Sequence, residues 1–184
     1  MARKPPDAHP TIMRSMLLVP VVFLAMLAGT GPSQGASAAP FCIGRQLSGT
    51  FRVIPGSAGA GNIVYALRLR NRSGQTCSVT GLPLVRLLGR TGRQLTTHER
   101  AARPSALTPV LITLRPGQAA RATARFSPDV PGPGEPTLAS GQCEPTAYRL
   151  HIVPPGGGAT TVPVSPPTPV CEHGSLQLSA YGRS

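Results

Sequence analysis

Strict alternation marks the stretch that decides the fold, Ile63-Val64-Tyr65-Ala66-Leu67-Arg68-Leu69-Arg70. Large apolar side chains occupy every second position, and Arg68 and Arg70 lie between them. A period of two puts the apolar set on one face of an extended strand and the arginines on the other. The stretch therefore predicts a β-strand with one buried face and one basic, exposed face.

Further short strands are predicted on both sides of this stretch. Residues 119–126 alternate in the same way, with Arg121 and Arg125 on the polar face. A type II turn is predicted at Arg115-Pro116-Gly117, because proline favours its second position and glycine its third. The remaining predicted strands are 76–79, 84–88, 94–97, 110–114, 148–153, 160–164 and 175–181, and the predicted loops are 127–142, 154–159 and 165–169.

Composition and the pattern of short strands together predict an all-β fold. It holds 21 glycines and 22 prolines in 184 residues, which exclude long helices because proline breaks them and glycine weakens them. No stretch has a sustained apolar period of about 3.6 residues. Eight or nine short strands indicate an antiparallel, immunoglobulin-like β-sandwich. A small β-barrel is the alternative.

Residues 1–38 have the pattern of a signal peptide. A basic start precedes an apolar run, residues 16–28, and small residues follow and end in an Ala-Ser-Ala tripeptide. The run is shorter than the roughly 20 residues needed to span a bilayer, which favours cleavage over a membrane anchor. Cleavage after Ala38 or Ala39 would leave one domain, 39–184, secreted to the exterior of the cell envelope with no transmembrane span.

All four cysteines, Cys42, Cys77, Cys143 and Cys171, follow this segment. In an exported chain such thiols are expected to form two disulfides. Three pairings are possible, and we favour Cys42–Cys77 with Cys143–Cys171, because each ties a chain end to the nearest central strand. A metal site is not expected, since Cys171 and His173 lack a second close pair of ligands.

The chain is strongly basic, with a formal net charge of +12. Nucleic-acid binding is not expected, because the chain has no tryptophan and few aromatic side chains on which bases could stack. An envelope protein or an anionic cell-wall polymer is the favoured partner. If their strands share one sheet face, the candidate basic binding surface consists of Arg68, Arg70, Arg121 and Arg125.

Residue patterns that carry catalysis are missing. There is no Gly-x-Ser-x-Gly nucleophile elbow, and the few acidic residues are scattered. No catalytic residue, cofactor or metal is therefore expected, and a non-enzymatic module is favoured. The alternative is a secreted enzyme inhibitor, or an enzyme of unknown type, that uses the loop 127–142.

Two motifs and the flanking cysteines resemble a known family. The first motif is Asn71-Arg72-Ser73-Gly74 followed by Cys77-Ser78-Val79-Thr80-Gly81-Leu82-Pro83, and the second is Leu114-Arg115-Pro116-Gly117-Gln118-Ala119. They resemble the actinobacterial secreted family called domain of unknown function 4232. Leu82 stands where the family often has an aromatic residue, and Arg72 interrupts its Asn-Ser-Gly turn. The resemblance implies an exported, disulfide-bonded β-sandwich and supplies no activity.

Overall fold

A computed structural model describes residues 38–106, 108–139, 143 and 145–184. The predicted signal peptide lies outside these residues except for Ala38. No helix in the described ranges is long and apolar enough to cross a membrane. The described residues form three short helical turns, Gly44–Gln46, Pro104–Ala106 and Cys171–Gly174, and the strands β1 Leu47–Val53, β2 Ile63–Asn71, β3 Cys77–Val79, β4 Leu84–Leu88, β5 His98–Ala101, β6 Ile112–Leu114, β7 Ala119–Phe126, β8 Ala147–Val153, β9 Thr160–Thr168, β10 Ser175–Leu178 and β11 Gly182–Arg183.

Nine of these strands form one sheet in the order β4-β8-β9-β1-β2-β7-β10-β5, with β11 beside β7. β3 and β6 form a separate two-stranded sheet. The pairs β1–β9 and β10–β5 are parallel, and all other pairs are antiparallel. The sheet is therefore mixed, whereas the sequence predicted an antiparallel one. Parallel partners need long crossover connections, which local alternation does not reveal.

The two end strands of the main sheet, β4 and β5, approach each other and almost close it into a barrel. The Val85 N–H donates to Glu99 Oε1 at 3.0 Å, and the Leu87 N–H donates to Thr97 Oγ1 at 2.9 Å. Side-chain oxygens thus accept hydrogen bonds from two backbone N–H groups of β4 that would otherwise bond to the carbonyls of a neighbouring strand. The fold is all-β, with a nearly closed, barrel-like sheet.

The inward faces of the strands share one apolar core. Tyr65 lies at its centre, with its ring centroid 4.8 Å from that of Phe51 and 5.3 Å from that of Phe126. Its hydroxyl donates to the Pro166 carbonyl at 2.8 Å, so the buried polar group is satisfied. Burial raises the pKa of the Tyr65 phenol, although its hydrogen bond with Thr168 acts in the opposite direction.

Both disulfides join elements that are distant in sequence. Cys42 is bonded to Cys77 of β3, and both are fully buried, with Cα atoms 4.9 Å apart. Cys143, ahead of β8, is bonded to Cys171 in the turn before β10, with Cα atoms 5.4 Å apart. This is the connectivity that the sequence favoured.

The strands predicted at 63–70, 84–88, 119–126 and 148–153 are confirmed. β1 was missed because Gly49 interrupts its apolar face. A glycine is needed there, since a Cβ would lie 2.7 Å from the Arg68 carbonyl oxygen of the neighbouring strand. Close approach of two backbones thus removed the side chain that would have marked the strand.

Two other stretches differ from the prediction. Residues 94–97 are not a return strand: Gln94 makes one isolated bridge to Leu88, and β5 begins four residues later. The predicted loop 165–169 is mostly strand, because β9 continues as far as Thr168, which pairs with Ala147. Its prolines hid this strand from the sequence pattern.

Candidate functional site

Two arginines meet on the outer surface of the main sheet. Arg68 of β2 lies directly opposite Arg121 of β7 in the antiparallel register, and both side chains are exposed. Thr50 pairs with Arg68 on one side, and Gly182 pairs with Arg121 on the other. The row across β1, β2, β7 and β11 therefore has two adjacent cations at its centre.

The other two arginines predicted from the sequence lie on the same face. Arg70 follows Arg68 by two residues, and Arg125 follows Arg121 by four, so the strand period puts all of them outside. Arg70 Nε donates to the Gly117 carbonyl at 2.9 Å, which ties its guanidinium to the turn before β7. The four arginines predicted from the sequence thus lie on the same exposed face of the sheet.

Sequence reasoning missed a fifth arginine of this surface, Arg52. It is exposed on β1 and pairs with Ala66 of β2. Arg52 was not predicted to be part of this surface because its strand, β1, was not predicted. We use the name arginine face for the exposed set Arg52, Arg68, Arg70, Arg121 and Arg125.

The arginine face has no ion-pair partner among the described residues. The only salt bridge within the described part of the chain joins Arg86 of β4 to Glu99 of β5 at 2.7 Å. Like charges directly opposite each other on neighbouring strands are destabilising. A bound anion would relieve this repulsion, because its oxygens can accept hydrogen bonds from both guanidinium groups.

A groove lies at each end of the β2–β7 pair. The larger, of about 600 Å³, includes Arg68, Thr113, Arg115, Gln118 and Arg183 in its lining. We call it the turn groove. The smaller, of about 440 Å³, includes Arg103, Arg125 and Gln177 in its lining. Both grooves contain arginines and extend the basic surface beyond the β2–β7 pair.

Asn71, at the end of β2, organises the wall of the turn groove. Its side chain is fully buried, and Nδ2 donates to the Gln75 carbonyl at 2.7 Å and to the Leu114 carbonyl at 2.9 Å. Its Oδ1 accepts from the Ser73 N–H at 2.9 Å. One amide thus joins β2, the turn after it, and β6. The Asn-x-Ser-Gly sequence predicted the turn, but it gave no indication of the hydrogen bond from Asn71 to β6.

The turn between β6 and β7 has the predicted type II form. The Gln118 N–H donates to the Arg115 carbonyl at 2.9 Å, and Gly117 has a φ of 83°. Only glycine adopts this angle readily, which explains Gly117. The Gly117 N–H also donates to the Asn71 carbonyl at 2.8 Å, so the turn is fixed to the end of β2.

The predicted loop 127–142, described here up to residue 139, is fixed by one carboxylate. Glu135 Oε2 accepts from the N–H groups of Gly132 and Glu172 at 2.7 Å each, and Oε1 accepts from the His173 N–H at 2.9 Å. Glu172 and His173 have left-handed φ angles of 55° and 56°, which cost roughly 1–2 kcal/mol per residue. Glu135 stabilises this turn, which carries Cys171.

The charge of Glu135 is favoured by these donors. Burial raises the pKa of its carboxyl. The hydrogen bonds from Gly132, His173 and Glu172, together with the nearby His173 ring, lower the pKa by more than burial raises it. The net pKa therefore lies below its ordinary value. Sequence reasoning missed this role because Glu172 and His173 lie far along the chain from Glu135.

Comparison with known proteins gives a family. The family model described as Domain of unknown function (DUF4232) matches residues 42–182. The matched region runs from the first cysteine to the first residue of β11. No curated protein matches the chain, and no solved structure matches it.

Proposed function

The chain belongs to the family described as Domain of unknown function (DUF4232), and on that premise we propose that it is an exported, non-enzymatic module that binds an anionic polymer of the cell envelope through the arginine face. Secretion is part of the proposal, because a signal-peptide pattern followed by disulfides is typical of exported proteins. So are an immunoglobulin-like arrangement of the strands, which the strand pattern predicted, and an actinobacterial source, which the family resemblance implies.

One observation carries the proposal: Arg68 faces Arg121 in an exposed row, with no carboxylate partner among the described residues. A guanidinium offers a planar fork of donors that matches phosphate or carboxylate oxygens. Neighbouring strands are about 4.8 Å apart, so two forks in one row can engage the same anionic group or adjacent ones. A polymer with regularly spaced charges would contact several arginines together.

Retention on immobilised poly(glycerol phosphate) tests the proposal. We expect the protein to be retained at low salt and eluted as salt rises, because salt screens charge attraction. The variant Arg68→Gln/Arg121→Gln should elute at clearly lower salt. The matched control is Arg93→Gln/Arg149→Gln, which removes the same charge from a turn and from β8, a strand separated from β2 by β9 and β1. Equal elution of both variants would contradict the proposal.

A second function, enzyme inhibition by the 127–142 loop, is favoured by a different observation. Glu135 fixes the loop to the turn 171–174, and the loop still exposes Val130 and Leu138, at 49% and 51% of their surface. A fixed loop with exposed aliphatic side chains is suited to enter the active site of an enzyme. Inhibition of secreted proteases that is lost in Leu138→Asp, but kept in Arg68→Gln/Arg121→Gln, would support this function over polymer binding.

A further inference from the structure

The backbone of β3 shows which way the edge of β6 points. Ser78, in the middle of β3, donates its N–H to the Pro40 carbonyl at 2.8 Å, and its own carbonyl accepts from the Cys42 N–H at 2.8 Å. Both backbone groups of Ser78 are therefore directed at the segment 40–42 and away from β6. Since the N–H and C=O of one residue point to the same side of an antiparallel strand, Ser78 exchanges no ladder bonds with β6.

Thr113 of β6 stands opposite Ser78 in the register. The pair is therefore a non-hydrogen-bonded one, and the N–H and C=O of Thr113 point away from β3. Thr113 is exposed, and no described residue supplies a partner for either backbone group. The backbone of Arg115, two residues later, is occupied, because its N–H donates to Gln118 Oε1 at 2.8 Å and its carbonyl accepts from Gln118.

This open edge lines the turn groove. Arg68, Arg115 and Arg183 share the groove with Thr113 and Ser184, and none of the lining side chains is acidic. A volume of about 600 Å³ is in the range of binding clefts that hold a ligand. The groove thus combines an unpaired strand edge with three guanidinium groups.

We propose that the turn groove binds an extended acidic segment of a partner polypeptide, which adds to β6 as a further strand. Main-chain bonds to Thr113 would hold the segment, and carboxylates on alternate residues would contact the arginines. A second copy of this chain is disfavoured as the occupant, because its own β6 would bring the same arginines into contact. Arg68 is shared with the proposed polymer surface, but the open backbone of Thr113 is not required there.

The probe is a synthetic peptide of alternating threonine and glutamate, eight residues long, added to the purified protein labelled with ¹⁵N. We expect the amide proton of Thr113 to exchange with solvent about ten-fold more slowly when the peptide is bound, because a new hydrogen bond must open first. Poly(glycerol phosphate), which has no backbone amides, should bind without slowing this exchange. Failure of the peptide to bind, or binding that does not slow this exchange, would overturn the proposal.

Substitution of Thr113 isolates the backbone donor. Proline is compatible with this position, because the missing N–H points away from β3 and proline is tolerated on edge strands. We expect Thr113→Pro to bind the peptide about ten-fold more weakly than Thr113→Ala, which keeps the N–H. Equal binding of the peptide by the two variants would overturn the proposal. So would binding of a threonine–glutamine peptide to the unmodified protein as tightly as the threonine–glutamate peptide, because the glutamine peptide has no carboxylates for the arginines. The exchange measurement stands even if the proline variant does not fold.

Discussion

Arg68 of β2 and Arg121 of β7 lie directly opposite each other on the outer surface of the sheet. Two like charges at such a position repel each other, and the described residues offer no carboxylate to separate them. The arrangement therefore lowers the stability of the fold. A surface that carries this cost and still presents both guanidinium groups outward is suited to an anionic ligand.

The first prediction follows from this repulsion. Arg68→Gln should raise the free energy of unfolding by about 0.5 kcal/mol at low ionic strength, since one partner of the like-charge pair is removed. The gain should shrink as salt is added and screens the pair. Urea unfolding at low and high salt measures both effects, with Arg93→Gln as the control. A loss of stability in Arg68→Gln at low salt would count against repulsion within the pair.

The second prediction concerns the buried amide of Asn71. Asn71→Ala should lower the free energy of unfolding by about 3 kcal/mol, because the buried Leu114 carbonyl and the Ser73 N–H lose their partner. Gln75→Ala, an exposed side chain next to the same turn, should change it by less than about 0.5 kcal/mol. Chemical denaturation of both variants provides the comparison. Similar small losses in the two would show that the Asn71 bonds add little.

The third prediction is a loss of stability in acid that depends on Glu135. Its pKa is lowered by folding, so its contribution is fully present above the ordinary carboxyl pKa of about 4.3 and is lost as pH falls through the lower folded value. Glu135→Gln should weaken this acid dependence, whereas Glu172→Gln, an exposed neighbour, should not.

The measurement is the free energy of unfolding between neutral pH and about pH 3, a range that begins above the ordinary carboxyl pKa and ends below it. Faster hydrogen exchange at the Glu172 and His173 amides in acid would locate the effect at the turn, because both amides donate to Glu135. An unchanged pH profile in Glu135→Gln would refute the assigned role of this carboxylate.

The fourth prediction concerns the disulfide between Cys42 and Cys77. Their sequence separation is 35 residues, so the chain-entropy model gives about 4 kcal/mol for the closed loop. Cys42→Ser/Cys77→Ser should lose at least this much, because both positions are also fully buried. Denaturant unfolding of the double variant measures the loss. A loss below about 1 kcal/mol would contradict the stabilisation that the chain-entropy model gives for this disulfide.

Much of the fold could be predicted from local alternation of apolar and polar residues in the sequence. β2 and β7 could be predicted because every second residue is apolar, and the turn before β7 because Pro116 and Gly117 fit one turn type. Pairing between distant strands could not be predicted. Phe51 of β1 pairs with Val164 of β9, and no local pattern relates the two stretches.

The candidate site divides in the same way. Alternation assigned Arg68 and Arg121 to the polar faces of their strands, but only the register shows that they are opposite each other. Arg52 was missed because Gly49 obscured its strand. The partners of Glu135 could not be foreseen, because its donors at Glu172 and His173 come from a turn beyond two further strands.

The most direct test of the arginine face is the affinity for soluble poly(glycerol phosphate), measured by equilibrium titration at low salt. Arg68→Gln/Arg121→Gln should bind about ten-fold more weakly than the unmodified protein, since each exposed charge contact contributes up to about 1 kcal/mol. Arg93→Gln/Arg149→Gln, with the same net charge, should lose much less. Equal losses in the two variants would contradict a defined surface and leave only the overall positive charge of the chain.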